Sequence, residues 1–151
     1  MTSTFECSKK WGDYPSTAPR TDTELSQAAK QGDGRAQYEL AKRLASKPDY
    51  PNAMHWMQQA VEQSGPLAAD KKIRANAAWQ VGDWYQAGLG EPKNPALATQ
   101  WWQRSARLGN TNARYRLGLM CQEQHQGKLV SECLDWFEQA AKQDHAEAQL
   151  I

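Results

Sequence analysis

The stretch from Ala77 to Ala106 reads AAWQVGDWYQAGLGEPKNPALATQWWQRSA, and its spacing decides the fold. Ala77, Val81 and Tyr85 recur at i, i+4 and i+8, so they share one face of a helix. The run from Gly88 to Pro95 then breaks any helix, and Pro95 suits the first turn of a new one, where a missing N–H costs nothing. Ala98, Trp101, Ser105 and Leu108 form a second helical stripe. Small residues at matched positions let two such helices approach closely, with Trp101 expected to fill the space beside them.

The same pattern recurs on both sides. Anchor alanines at 36, 77, 113 and 148 are separated by 41, 36 and 35 residues. In a second, interlocked frame Trp56, Trp101 and Trp136 each follow a small residue by three: Ala53, Ala98 and Cys133. Two frames at one period mean a repeat protein. The spacing predicts helix pairs at 34–46 with 51–63, 71–87 with 95–108, and 111–125 with 130–143. Thr21 to Glu24 has capping-box spacing and starts a cap helix over 22–31. Residues 1–20 contain Pro15 and Pro19 and no periodicity, which reads as an irregular arm, and 21–151 as the helical repeat domain. Its repeats lie at about 33–68, 71–109 and 110–144, with a partial fourth at 145–151.

Composition agrees. The chain has 151 residues, with 22 Ala and 16 Gln against 3 Val and 2 Ile, so the β-branched residues a sheet needs are scarce and the fold class is all-α. With a net charge of +1, no bulk field recruits nucleic acid or anionic lipid. No run approaches the ~20 apolar residues of a membrane span. Residues 1–10 (MTSTFECSKK) lack an apolar signal core, so the chain is cytoplasmic if Met1 is native and periplasmic if a signal peptide was removed.

The residues Val81-Gly82, Tyr85, the loop 88–92, Ala98 to Trp101 and Ser105-Ala106 closely resemble the Sel-one-like repeat, a relative of the tetratricopeptide repeat. Leu117-Gly118 with Ala140-Ala141, and Leu40-Ala41, carry the resemblance into the flanking units, so that it covers roughly 22–151. It implies a right-handed α-solenoid of antiparallel helix pairs whose members bind other proteins rather than catalyse. It also implies that the first helices line a concave side. In that register Gln37, Glu39 and Arg43, then Gln80, Asp83 and Trp84, then Arg114, Arg116 and Met120 face a partner. The expected partner-binding residues are Arg43, Gln80, Asp83, Trp84, Arg114 and Arg116.

Other chemistries are weaker. Cys121, His125, Cys133 and His145 resemble a metal set, but Cys121 and Cys133 stand at the repeat core positions of Tyr85 and Ala98, where cysteine acts as a small apolar residue. A Cys121–Cys133 disulfide suits an exported protein, yet exported relatives place their cysteines where this chain has Ala141 and Ala148; the pairing stays open. No phosphate loop, nucleophile elbow or HExxH motif is present, so neither enzyme nor cofactor is expected. The basic, aromatic stretch Trp101, Trp102, Arg104, Arg107, Arg114, Tyr115 and Arg116 can suggest nucleic acid. However, Trp101 and Tyr115 fall on core positions and the net charge is near zero. The expected function is a scaffold or adaptor binding a protein or peptide. The alternatives are an immunity protein that inhibits a secreted bacterial enzyme, or a periplasmic assembly or signalling factor.

Overall fold

A computed structural model describes residues 20–149, with side chains described for 20–143. The expected arm at 1–20 therefore lies almost wholly outside the described residues. Among them are seven helices and no strand: α1 (Asp22–Lys30), α2 (Gly34–Ser46), α3 (Tyr50–Glu62), α4 (Lys71–Ala87), α5 (Pro95–Arg107), α6 (Thr111–Gln124) and α7 (Ser131–Gln149). Each helix packs on the next, and α2 also touches α4 across a unit boundary, which is the arrangement of an α-solenoid. The expected fold class holds. At the end, α7 runs on to Gln149, through the point where a fourth unit was expected to begin. Side chains from 144 onward lie outside the described residues.

Local chemistry places these boundaries. Thr21, Asp33, Asp70, Asn94 and Asn110 each accept a hydrogen bond from the backbone N–H three residues on, satisfying a donor that the first turn leaves free. Pro51 and Pro95 lie in the first turns of α3 and α5. The α4–α5 loop is fixed by contact as well as by turn chemistry. Gly90 has φ +84°, and a Cβ there would meet the Tyr50 carbonyl oxygen at 2.6 Å, so only glycine lets this loop lie on the start of α3.

The core is built from small residues and a few large ones. Ala41, Ala53, Met54, Met57, Ala77, Ala78 and Val81 are buried together between units one and two. Ala98, Trp102, Ala106, Ala113 and Leu117 do the same between units two and three. Trp102 is the largest fully buried side chain, whereas Trp101, expected in that seat, is half-buried with the Arg104 guanidinium 4.5 Å from its ring. The two differ by one position, about 100° around the helix, which turns Trp102 and not Trp101 onto α4. Gly82 explains how the ring fits: a Cβ there would lie 2.4 Å from the Trp102 indole. Gly118 plays the same part against Phe137, at 2.8 Å.

Several ties between helices run from side chain to backbone. Gln37 Nε2 donates to the Ala29 carbonyl at 3.1 Å, and Arg114 Nε to the Ala106 carbonyl at 3.2 Å, both reaching eight residues back. Arg74 Nε donates to the Val61 carbonyl at 3.2 Å across the boundary of units one and two, while within unit two the buried Ser105 hydroxyl donates to the Ala75 carbonyl at 2.7 Å. Cys121 and Cys133 form a disulfide that joins α6 to α7 with their Cα atoms 5.4 Å apart. The question that the sequence leaves open is answered in favour of the bond.

Candidate partner-binding site

The six residues expected to face a partner do not share one environment. Trp84 is a correction. It is 6% exposed, packed among Met54, Met57 and Val81, with its ring edge-on to Tyr50 at 5.9 Å. Its job is to fill the gap between units one and two, and it offers no surface. Arg114 is a second correction: its guanidinium holds the Ala106 carbonyl and, through Nη1, the Gln143 side chain at 3.1 Å. Arg43 is committed too, to Asp22 of the cap helix at 3.0 Å, which Lys47 also holds at 2.8 Å. Lys47 first and Arg43 second pull the Asp22 carboxyl below its ordinary value. Among the flanking positions, Gln37 is buried, Glu39 pairs with Arg35 at 3.4 Å, and Met120 packs partly on the second core.

Gln80, Asp83 and Arg116 remain. Asp83 and Gln80 sit on α4 and are half-buried, while Arg116 is exposed on α6. The Arg116 guanidinium lies 4.8 Å from the Trp102 ring centroid, in range of a cation–π attraction. Burial raises the Asp83 carboxyl above its ordinary value; the Trp102 indole N–H and the Arg116 charge pull it partly back. Those two neighbours show that Asp83, Trp102 and Arg116 come together from α4, α5 and α6. Neither Asp83 nor Arg116 is in an ion pair among the described residues. The Trp102 Nε1 is buried without an acceptor in bonding geometry.

Tyr115 is a third correction. Expected in the core, it is 54% exposed, with its ring edge-on to Phe137 at 5.6 Å. Its counterpart Trp79 lies against Trp102 at 5.8 Å. The difference is that no described helix covers the outer side of α7.

Of the remaining groups of the basic stretch, Arg107 is exposed at the end of α5. Arg104 pairs with Glu62 at 3.6 Å. Of the metal-like set, Cys121, His125 and Cys133 have their ligand atoms within 4.8 Å of one another, but the two sulfurs are bonded to each other, so neither thiolate is offered to an ion while the bond is closed. His145 lies outside the described side chains.

The Sel1 repeat model matches residues 34–65, 75–110 and 111–145, which are the three helix pairs described above. The chain belongs to the Sel1 repeat family. It is 27% identical over 128 residues to the Sel1-repeat-containing protein YjcO of Escherichia coli K12, covering 82% of this chain and 54% of YjcO. The chain thus spans about half the length of the curated relatives it matches. A Sel1 repeat protein from Oxalobacter formigenes superposes with a TM-score of 0.63 at 27% identity, over 85% of this chain and 95% of that one. The protective antigen c5321 of uropathogenic E. coli, which displays the same repeat fold, gives 0.67 at 30% identity over 83% of this chain and 26% of its own. Sel1 repeats are in general protein–protein interaction modules, and their solenoid is typically a non-enzymatic scaffold. No helix of the described residues is long and apolar enough to cross a membrane.

Proposed function

We propose that this chain is a non-enzymatic Sel1-repeat module that takes a protein or peptide partner on the first-helix face of units two and three, around Gln80, Asp83 and Arg116. One observation carries the reading. An exposed arginine stands over a buried tryptophan, beside a half-buried carboxyl, and neither charge is neutralised by an ion pair among the described residues. Most of the other first-helix groups are spent inside the fold, on carbonyls, on Asp22 or in the core. A cation held in place by an aromatic ring loses little side-chain freedom on binding, which is what a binding hot spot requires.

The disulfide supports an oxidising compartment, such as the periplasm, over the cytoplasm, because intracellular thiol buffers keep such pairs reduced.

The test is capture from a lysate of the source cell by the wild type and by an Asp83→Ala, Arg116→Ala double variant. A protein retained by the first and lost by the second is the expected result, provided the variant melts at least as high as the wild type. Equal retention by both would move the interaction to another surface.

A further inference from the structure

Between the N-terminal ends of α4 and α6 lies an open cleft of about 600 Å³. Lys71, Lys72 and Asn76 of α4 line one side, Asn110 and Asn112 the other, and Gln143 of α7 closes part of the rim. A volume of this order is ordinary for a ligand-binding cleft. The chemistry of its walls is one-sided: no Asp or Glu is among the described residues that line it. Asp70, the acid next to Lys71 in sequence, accepts the Ile73 N–H at 2.9 Å and so caps α4.

Much of the polar lining is already occupied. Asn110 caps α6 through its side-chain oxygen and donates through its amide to Asn76 Oδ1 at 3.1 Å. Gln143 accepts from Arg114. The groups left open include the two ammonium groups and the Asn112 amide, all three on exposed residues. Neither lysine is in an ion pair among the described residues. Both stand in the first turn of α4, which carries no acid, although the helix dipole disfavours cations there. An anion bound between them would relieve that conflict.

The cleft opens onto the site already described. Asn112 and Arg116 are successive turns of one face of α6, as Asn76 and Gln80 are of α4. Tyr115, one turn on from Asn112, adds an exposed ring beside it.

We infer that this cleft seats an acidic segment of the partner polypeptide, its carboxylates held by Lys71 and Lys72 with the Asn112 amide donating beside them. The inference rests on the proposed interaction function and gives its surface a direction: acidic residues at the cleft, with the chain continuing toward Arg116. A peptide fits better than a nucleic acid. Two lysines neutralise too little of a phosphate backbone, no aromatic ring is among the described residues that line the cleft, and the net charge is only +1.

The experiment is fluorescence anisotropy on the full chain, with fluorescein-labelled hexaglutamate, hexaserine of the same length and a twelve-residue oligothymidylate as probes, in 50 mM salt. Hexaglutamate should bind at least about tenfold tighter than hexaserine, as charge complementarity requires. A Lys71→Glu, Lys72→Glu variant should lose that preference. A Lys30→Glu, Lys128→Glu variant, with the same change in net charge placed elsewhere, should keep it within about twofold, because screening confines the effect to near neighbours. Both variants are checked by melting. Three results overturn the inference: no preference for hexaglutamate, equal losses in the two variants, or tighter binding of the oligothymidylate. A captured partner that survives Lys71→Glu, Lys72→Glu but is lost with Asp83→Ala, Arg116→Ala overturns the cleft alone and leaves the proposed function standing.

Discussion

Units two and three carry the same parts at the same places, yet among the described residues one is covered on both sides and the other is not. In unit two, Gly82 admits Trp102, Trp79 lies on the ring, and the assembly leaves Trp102 1% exposed. In unit three, Gly118 admits Phe137 and Tyr115 lies on it, but Tyr115 is 54% exposed. Leu134 is 38% exposed at the position where unit one buries Met54 to 1%. A solenoid unit draws part of its stability from the next unit's first helix, and the outer side of α7 receives none among the described residues. Unit three holds its helices together by another means. Where unit two has Tyr85 and Ala98, unit three has the Cys121–Cys133 bond. A covalent link stands in for missing burial.

The largest expected effect breaks or confirms this contrast directly. Trp102→Ala should cost about 3–5 kcal/mol as a core cavity, and Phe137→Ala about half of that, because its site is already partly open. Denaturant melts of the two variants decide it; equal losses would mean that unit three is as well covered as unit two. Next in size is the disulfide. Replacing Cys121 and Cys133 by serine should destabilise the oxidised protein by about 3 kcal/mol, as closing a loop of 12 residues implies, and a reductant should bring the wild type down to the same level. A wild type whose melting ignores reductant would show that the bond does not carry unit three.

The smallest effect concerns Asp83. Its folded carboxyl titrates above its unfolded value, so the buried charge opposes folding at neutral pH and this penalty fades as pH falls through the folded value toward 3.8. Asp83→Asn should therefore raise the melting temperature at pH 7, with the gain shrinking toward pH 4. A gain that grows on acidification would reverse the assignment of burial as the dominant cause.

The period and the breakers made the solenoid legible, because repeated small residues and prolines act locally and leave a mark at each recurrence. What the register misplaced were contacts a single position wide. Trp101 and Trp102 are neighbours in sequence, and only the seat above Gly82 tells which of them is buried. Trp84 and Arg114 sit on the face expected to meet a partner, but one ring is large enough to turn into the unit boundary and one guanidinium long enough to reach a carbonyl eight residues back. A signal for the second was present: a long polar residue follows the anchor alanine in units one and three, at Gln37 and Arg114. Lys71 and Lys72 left a signal too, as two cations in a first turn that favours acids. Asp83 and Arg116 were legible as surface positions, but the indole that unites them comes from a third helix.

The bond between Cys121 and Cys133 also changes what a break in the chain means. The segment from 123 to 129 is exposed and is the natural place for a protease to enter unit three. Because the crosslink encloses that segment, a single cut there would open the backbone without releasing either piece, and α7 would stay fastened to α6. The nicked protein would stay one covalently joined species under oxidising conditions, heavier only by the water that the cut adds, and separate into two fragments only on reduction.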